Sequence, residues 1–254
     1  MSEAGGADSA RWSFRSGKPP VVTILCAADR PPDIGHVESH ATVRYTTAQR
    51  LSGQLAGADA LFVWDFLSTE IERAWPAADQ VQWVHIASAG VDPLLFPALR
   101  ASSVTLTNSR GVFEVPIAEY VLGLVIAMAK DFATTMDDQR QHRWRHRETE
   151  RIADRHALVI GTGPIGRATA RLLRAAGLRV EGLGRREILD DPDFGTVFPM
   201  SRLTERLARA DFVIALAPLT EATKGMVNRD TLAAMRPAAR LINVGRGALV
   251  VTDE

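Results

Sequence analysis

The sequence predicts an α/β protein of two doubly wound parallel-sheet units. Three observations lead there. Short apolar runs alternate with helical patches along the first half of the chain, which implies a parallel sheet. The same plan returns in the second half. The chain has 254 residues, of which 46% are hydrophobic, enough for two modest cores.

In the first half, runs at 21–25, 60–63, 81–86 and 104–106 read as strands, and 47–56, 70–75 and 92–99 read as the helices between them. In the second half, strands are expected at 157–160, 179–183, 212–216 and 241–244, with helices at 164–176, 202–209 and 229–235. Between the halves lies 115–130, apolar nearly all round apart from Glu119. Such a helix is expected to be buried on every side, at the seam between the units. The expected division is a disordered tail over 1–20, a first domain over 21–111 and a second over 112–254.

The most informative residues are Gly161-Thr162-Gly163-Pro164-Ile165-Gly166. They follow the apolar run 157–160 and open a helical stretch. Strand, glycine turn and helix are the context that a dinucleotide-binding G-x-G-x-x-G requires. Gly161 permits the tight turn, Gly163 lets backbone approach a pyrophosphate, and Gly166 lets the helix pack close to the strand. Free amides at the N-terminus of the helix that Pro164 and Ile165 open then hold phosphate charge. The second strand should end in an acid that bonds the ribose hydroxyls. Here it ends in Gly184, followed by Arg185 and Arg186. Without the carboxylate, two guanidinium groups can grip a 2′-phosphate, which points to NADP, with NAD still open. The competing reading is two solvated arginines in a polar loop, since Glu187, Asp190 and Asp191 follow closely.

Zero formal net charge argues against a general nucleic-acid binder. Cys26 is the only cysteine, so no intramolecular disulfide forms, which suits a reducing cytoplasm. Residues 1–20 lack the apolar core of a signal peptide and carry Glu3 and Asp8. The longest apolar run, 120–129, is too short to span a bilayer, so no membrane partner is expected. Residues 137–155 are dense in Arg, His and Glu; interleaved acids favour a solvated connector or a dimer contact over a basic binding patch. His142 and His146 have the i,i+4 spacing of metal ligands on a helix, but no third ligand accompanies them, and no metal is expected.

Several motifs, in order from about Val21 to the last residue, resemble the D-isomer-specific 2-hydroxyacid dehydrogenases. Ser88-Ala89-Gly90-Val91-Asp92 resembles the family's substrate loop. Asn108-Ser109-Arg110-Gly111-Val112, then Ala118-Glu119-Tyr120, resembles the crossover into the long helix. Ala217-Pro218-Leu219-Thr220, with Thr223 and Asn228, resembles the loop beside the cofactor, and Asn243-Val244-Gly245-Arg246-Gly247 the strand end with the catalytic arginine. Gly184-Arg185 resembles the glyoxylate/hydroxypyruvate reductase branch, which uses NADP.

The resemblance implies a flavodoxin-like substrate domain followed by a Rossmann NAD(P)-binding domain. It implies that Ala89 and Gly90 hold the substrate carboxylate by their amides, that Ala217, Pro218, Thr223 and Val244 line the cofactor, and that Arg246 binds substrate and serves catalysis. It also implies a homodimer paired through the cofactor domain, acting on a small 2-keto acid. The chemistry of Arg246 fits independently: a fixed guanidinium can pair with a carboxylate and polarise the adjacent carbonyl as hydride arrives. In isolation Arg246 would read as a surface arginine after a buried strand; between Gly245 and Gly247, at a strand's carboxyl end, function is the better reading.

The family pattern continues with a glutamate and a Pro-His pair that supply the general acid. Neither has a matching position, and none of the six histidines stands in the acid's place. The sequence is therefore expected to be C-terminally truncated. His85, in the strand before the substrate loop, reads as a packed or hydrogen-bonded core residue. The main functional expectation is NADPH-dependent reduction of glyoxylate or hydroxypyruvate. The alternative is a dinucleotide-sensing, non-catalytic binding protein of the corepressor type. Trp64-Asp65-Phe66-Leu67 is a plausible pocket wall, although core packing explains Trp64 and Phe66 equally well.

Overall fold

Both expected sheets are present in the structure, a computed structural model that describes residues 17–253. They lie in separate compact units, one reaching to Arg110 and the other starting at Gly111. The expected tail lies outside the described residues up to position 16.

The first unit holds five strands: β1 (Val21–Leu25), β2 (Thr42–Thr46), β3 (Ala60–Val63), β4 (Trp83–Ile86) and β5 (Thr105–Asn108). All pair in parallel, in the order β2-β1-β3-β4-β5. Helices α1 (Gly35–Glu38), α2 (Leu51–Leu55), α3 (Ile71–Ala74) and α4 (Pro97–Arg100) connect them. Leu25, Leu51, Leu55, Leu61, Val63, Ile86 and Leu94 close one core. The single helix expected over 92–99 is instead a 3-10 turn, Asp92–Leu94, and then α4. Phe96 is extended (φ −75°, ψ 157°), as a residue before proline prefers, and that breaks the run.

The second unit contains α5 (Glu114–Ala129), α6 (Phe132–Arg140), β6 (His156–Ile160), α7 (Pro164–Ala175) and β7 (Arg179–Gly184). Next come β8 (Ile188–Asp191), β9 (Gly195–Pro199), α8 (Leu203–Leu207), β10 (Phe212–Ala215), α9 (Arg229–Ala233) and β11 (Arg240–Asn243). The sheet order is β11-β10-β6-β7-β9-β8, parallel except for the β8–β9 hairpin. β6 and β10 are buried at every residue from Ala157 and Phe212 onward, which is why they read as continuous apolar runs.

Two expectations about the segment between the halves are corrected. α5 is not buried on every side: Ala118, Val121, Val125 and Ala129 face the core, while Val115, Tyr120 and Met128 are exposed. Uniform apolarity hid which stripe packs. His142 and His146 share no helical face, because α6 ends at Arg140 and His142 takes a left-handed φ of +52°. The segment that follows is tied back instead: buried Asp138 pairs with Arg143, Arg145 and Arg147, and Glu150 with Arg240.

Candidate functional site

In the second unit the chain runs outward from β6 through β7 to the β8–β9 hairpin, then returns to β10 on the other side of β6. The carboxyl ends of β6 and β10 thus flank the point where strand order reverses, where open α/β sheets bind ligands. The glycine turn leaves the end of β6. Gly161 sits at φ +115°, and a Cβ there would lie 2.6 Å from the Leu216 carbonyl carbon and 2.7 Å from the Ala217 nitrogen. Only glycine lets the β6 and β10 ends approach so closely. A Cβ on Gly166 would overlap the Gly161 carbonyl oxygen, so the start of α7 lies directly on the turn.

Gly163 is different. It is the N-cap of α7, extended at φ −75°, and a Cβ on it would meet nothing within 4 Å. No contact inside the chain requires glycine there. Having no side chain, it also leaves the first amides of the 12-residue helix uncapped and approachable. Pro164 at the first helical position removes an amide that would have no helical partner anyway. This cradle fits a pyrophosphate.

The neighbouring strand ends adjoin the turn. Gly245 is needed because a Cβ would come 2.9 Å from Leu249 Cδ1 and 3.2 Å from the Ala217 oxygen. Ala217 is buried and Pro218 exposed. Thr223 braces their loop: its Oγ1 donates to the Pro218 carbonyl (2.6 Å) and accepts from the Thr220 amide (2.8 Å). Val244 donates its amide to Ala215 at 3.2 Å. Arg246 is half-buried, with its Nη1 donating to the Gly245 oxygen at 3.1 Å, while Asn243 Nδ2 holds the Arg246 carbonyl at 2.9 Å. Gly161, Ala217 and the Gly245–Arg246 turn therefore stand side by side along one sheet edge.

On the other side, β7 ends against the same turn. A Cβ on Gly184 would lie 2.8 Å from Thr162 Oγ1 and 3.2 Å from Val197 Cγ1. The residue that replaces the expected acid is thus also packed against Thr162, a residue the motif leaves unspecified. Arg185 and Arg186 follow, both exposed. Of the nearby acids, Asp191 is buried in β8 and paired with Arg167, while Glu187 and Asp190 are exposed, Asp190 at a left-handed φ of +55°. Arg167 holds the Asp191 carboxyl below the ordinary carboxylate range, and also does so for Asp193, helped by Arg171.

In the first unit, Ser88, Ala89 and Gly90 follow β4. Their carbonyls are turned inward. Asn108 Nδ2 donates to Ala89 at 2.6 Å, Ser88 Oγ to Gly90 at 2.6 Å, and the Ser109 amide to Ser88 at 3.1 Å. Among the described residues, the Ala89 and Gly90 amides have no acceptor. Bound carbonyls with open amides make an anion seat. Sequence reasoning missed Asn108 as its brace, because the contact spans 19 positions. His85 lies just before, with Nδ1 2.8 Å from Thr107 Oγ1 and Nε2 3.2 Å from Ser109 Oγ. Both ring nitrogens are engaged, and burial lowers its pKa from the ordinary value. A crevice of about 230 Å³ opens between the β1 and β3 ends, lined by Ala27, Asp29, Trp64, Asp65, Phe66 and Leu67.

Among the described residues no His, Cys, Asp or Glu cluster could hold a metal ion, and no helix is long and apolar enough to cross a membrane. Residues 122–254 match the family model described as the D-isomer specific 2-hydroxyacid dehydrogenase, NAD binding domain. An uncharacterized protein encoded in the mprR 3′ region of Streptomyces coelicolor is 35% identical over 178 residues, which cover 67% of this chain and 61% of that protein. The chain spans less than two thirds of the first curated relatives it matches. A solved D-isomer specific 2-hydroxyacid dehydrogenase family protein from Klebsiella pneumoniae 342 superposes with a TM-score of 0.77 at 27% identity, covering 94% of this chain and 76% of that one. A family member from Xanthobacter autotrophicus Py2, solved with NADPH and MES, gives 0.72 at 25% identity, covering 93% and 75%. With more than half of its residues matched by the family model, the chain belongs to the D-isomer specific 2-hydroxyacid dehydrogenases.

Proposed function

We propose that this chain serves the NADPH-dependent reduction of a small 2-keto acid, with glyoxylate or hydroxypyruvate the best fit. The observation that carries the reading is the meeting of the Gly161 turn, Ala217 and Gly245–Arg246 at one switch-point edge. Bound nicotinamide supplies hydride to the keto carbon. The chain's own residues bind and polarise. In the second unit, the turn around Gly163 seats the pyrophosphate and Arg185 and Arg186 hold the 2′-phosphate. Arg246 pairs with the anionic substrate and polarises its carbonyl oxygen. In the first unit, the open Ala89 and Gly90 amides seat a carboxylate. The NADPH complex of the Xanthobacter relative supports this cofactor, as does the absence of an acid at Gly184.

The active form is a homodimer in this reading. Tyr120, Met128, Phe132 and Met136 are exposed on α5 and α6, and Trp144 is 99% exposed. Such a surface calls for a covering partner, and the second unit of another copy supplies it.

Calorimetric titration of glyoxylate and hydroxypyruvate into the NADPH-saturated chain tests the substrate assignment. Saturable binding that Arg246→Ala weakens at least tenfold, about 1.4 kcal/mol, is expected. Equal binding by that variant would refute the role of Arg246.

A further inference from the structure

The acidic turn of the β8–β9 hairpin is anchored on α7 by an arginine that the binding site does not use. Arg167 is the fourth residue of the helix that opens at the glycine turn. Its two terminal nitrogens donate to the two Asp191 carboxylate oxygens at 3.0 Å each, and Nη1 also reaches Asp193 Oδ2 at 2.9 Å. Asp191 is 5% exposed, and its Oδ1 further accepts the Asp193 and Phe194 amides at 3.0 and 3.2 Å. The Arg167 guanidinium lies 5.6 Å from the centre of the buried Phe194 ring. Arg171 adds a 3.0 Å pair to Asp193. This is a bidentate, partly desolvated clamp, the strong form of such contacts.

Its place in the sheet gives it a consequence. β8 pairs with β9 only at Ile188–Val197 and Asp191–Gly195, with a register shift between them. Backbone pairing alone therefore holds this edge strand weakly. Arg185, Arg186 and Glu187 are strung between Gly184, packed on Thr162, and the start of β8, whose far end is fixed by Asp191 on Arg167. Both anchors belong to the glycine turn and its helix.

We infer that Arg167 is a positioning residue for cofactor choice. It fixes the distance from the pyrophosphate turn to Arg185 and Arg186, and so sets the preference for NADPH over NADH without touching either. The inference rests on the NADPH reading above. NADH has no 2′-phosphate and is indifferent to where those arginines stand. A purely structural role, or direct contact with the pyrophosphate, would weaken both cofactors alike.

The test is fluorescence titration of NADPH and NADH into the 254-residue chain, its Arg167→Gln variant and its Arg167→Lys variant. Arg167→Lys keeps the charge and the packing on Phe194 but loses the fork, so it remains informative if Arg167→Gln does not fold. For Arg167→Gln the Kd for NADPH is expected to rise about tenfold, as loss of charge-assisted contacts implies, with NADH changed less than about twofold. Arg167→Lys should show the same selectivity at about threefold. Parallel losses for both cofactors, or no loss for either, would overturn the inference while leaving the NADPH reading intact. An unsubstituted chain that binds NADPH no more tightly than NADH would overturn both.

Discussion

Gly161 and Gly166 face each other so closely that a Cβ on Gly166 would overlap the Gly161 carbonyl oxygen. Gly163, between them, meets nothing. The three glycines of one motif therefore answer to two different demands. Gly166→Ala should destabilise the chain by on the order of 1–3 kcal/mol or more through overpacking, with cofactor binding lost alongside. Gly163→Ala should leave the melting midpoint within about 2 °C, a fraction of a kcal/mol, and weaken NADPH at least tenfold. Calorimetric melts with cofactor titrations separate the two. A Gly163→Ala variant with unchanged affinity would mean that no ligand approaches that backbone.

Acid stability follows from the carboxylates. Asp191 and Asp193 are held below their ordinary values by Arg167, and Glu150 by Arg240. Their folded pKa values are depressed, so the stability they contribute is complete above the unfolded values near 4 and is lost as pH falls through the folded ones. The melting midpoint should be nearly flat from about pH 8 to 6.5, decline modestly below that as the unfolded chain protonates His85, whose folded pKa is lowered by burial, and fall steeply below about pH 4. Asp191→Asn should lower the plateau and flatten the fall. A variant that keeps the parent slope would show that Asp191 does not drive the transition.

The exposed apolar residues of α5 and α6, with Trp144, should bind a second copy. Light scattering at micromolar concentration should give a dimer, and Met136→Arg should shift it toward monomer without lowering NADPH affinity per chain. A monomeric parent protein would contradict this.

Turnover should be slow. His85 has both ring nitrogens engaged and a pKa lowered by burial, so it is a poor general acid, a role usually worth about 10²–10⁴ in rate. The 254-residue chain should oxidise NADPH with hydroxypyruvate only marginally above background. Rapid turnover would make His85→Gln the first variant to examine.

What the sequence disclosed follows from where its signals come from. β1, β3, β6 and β10 were legible because central parallel strands, buried on both faces, read as apolar runs. β2 and β8 lie at sheet edges and carry Thr, Arg and Asp, so no such run marks them. The β8–β9 hairpin depends on Arg167 and Asp191, 24 positions apart, a pairing no local pattern announces. The glycine turn was legible because its demands are local. The bracing of Ala89 by Asn108, and of Gly184 by Thr162, was not, because each depends on strands that meet only after folding. Helical spacing misled at His142 because α6 ends at Arg140. The apolar run 115–130 concealed which stripe of α5 faces the core, since nearly every stripe was apolar.

The Gly161–Gly166 turn and the Arg185–Arg186 pair are expected to bind NADPH together. Titrating NADPH and NADH into the unsubstituted chain and into Arg185→Ala tests it most directly. The expected result is saturable binding of both, NADPH at least about tenfold tighter, with that advantage largely lost in Arg185→Ala and NADH unchanged. Equal affinities in the parent chain, or tighter NADH, would contradict the account.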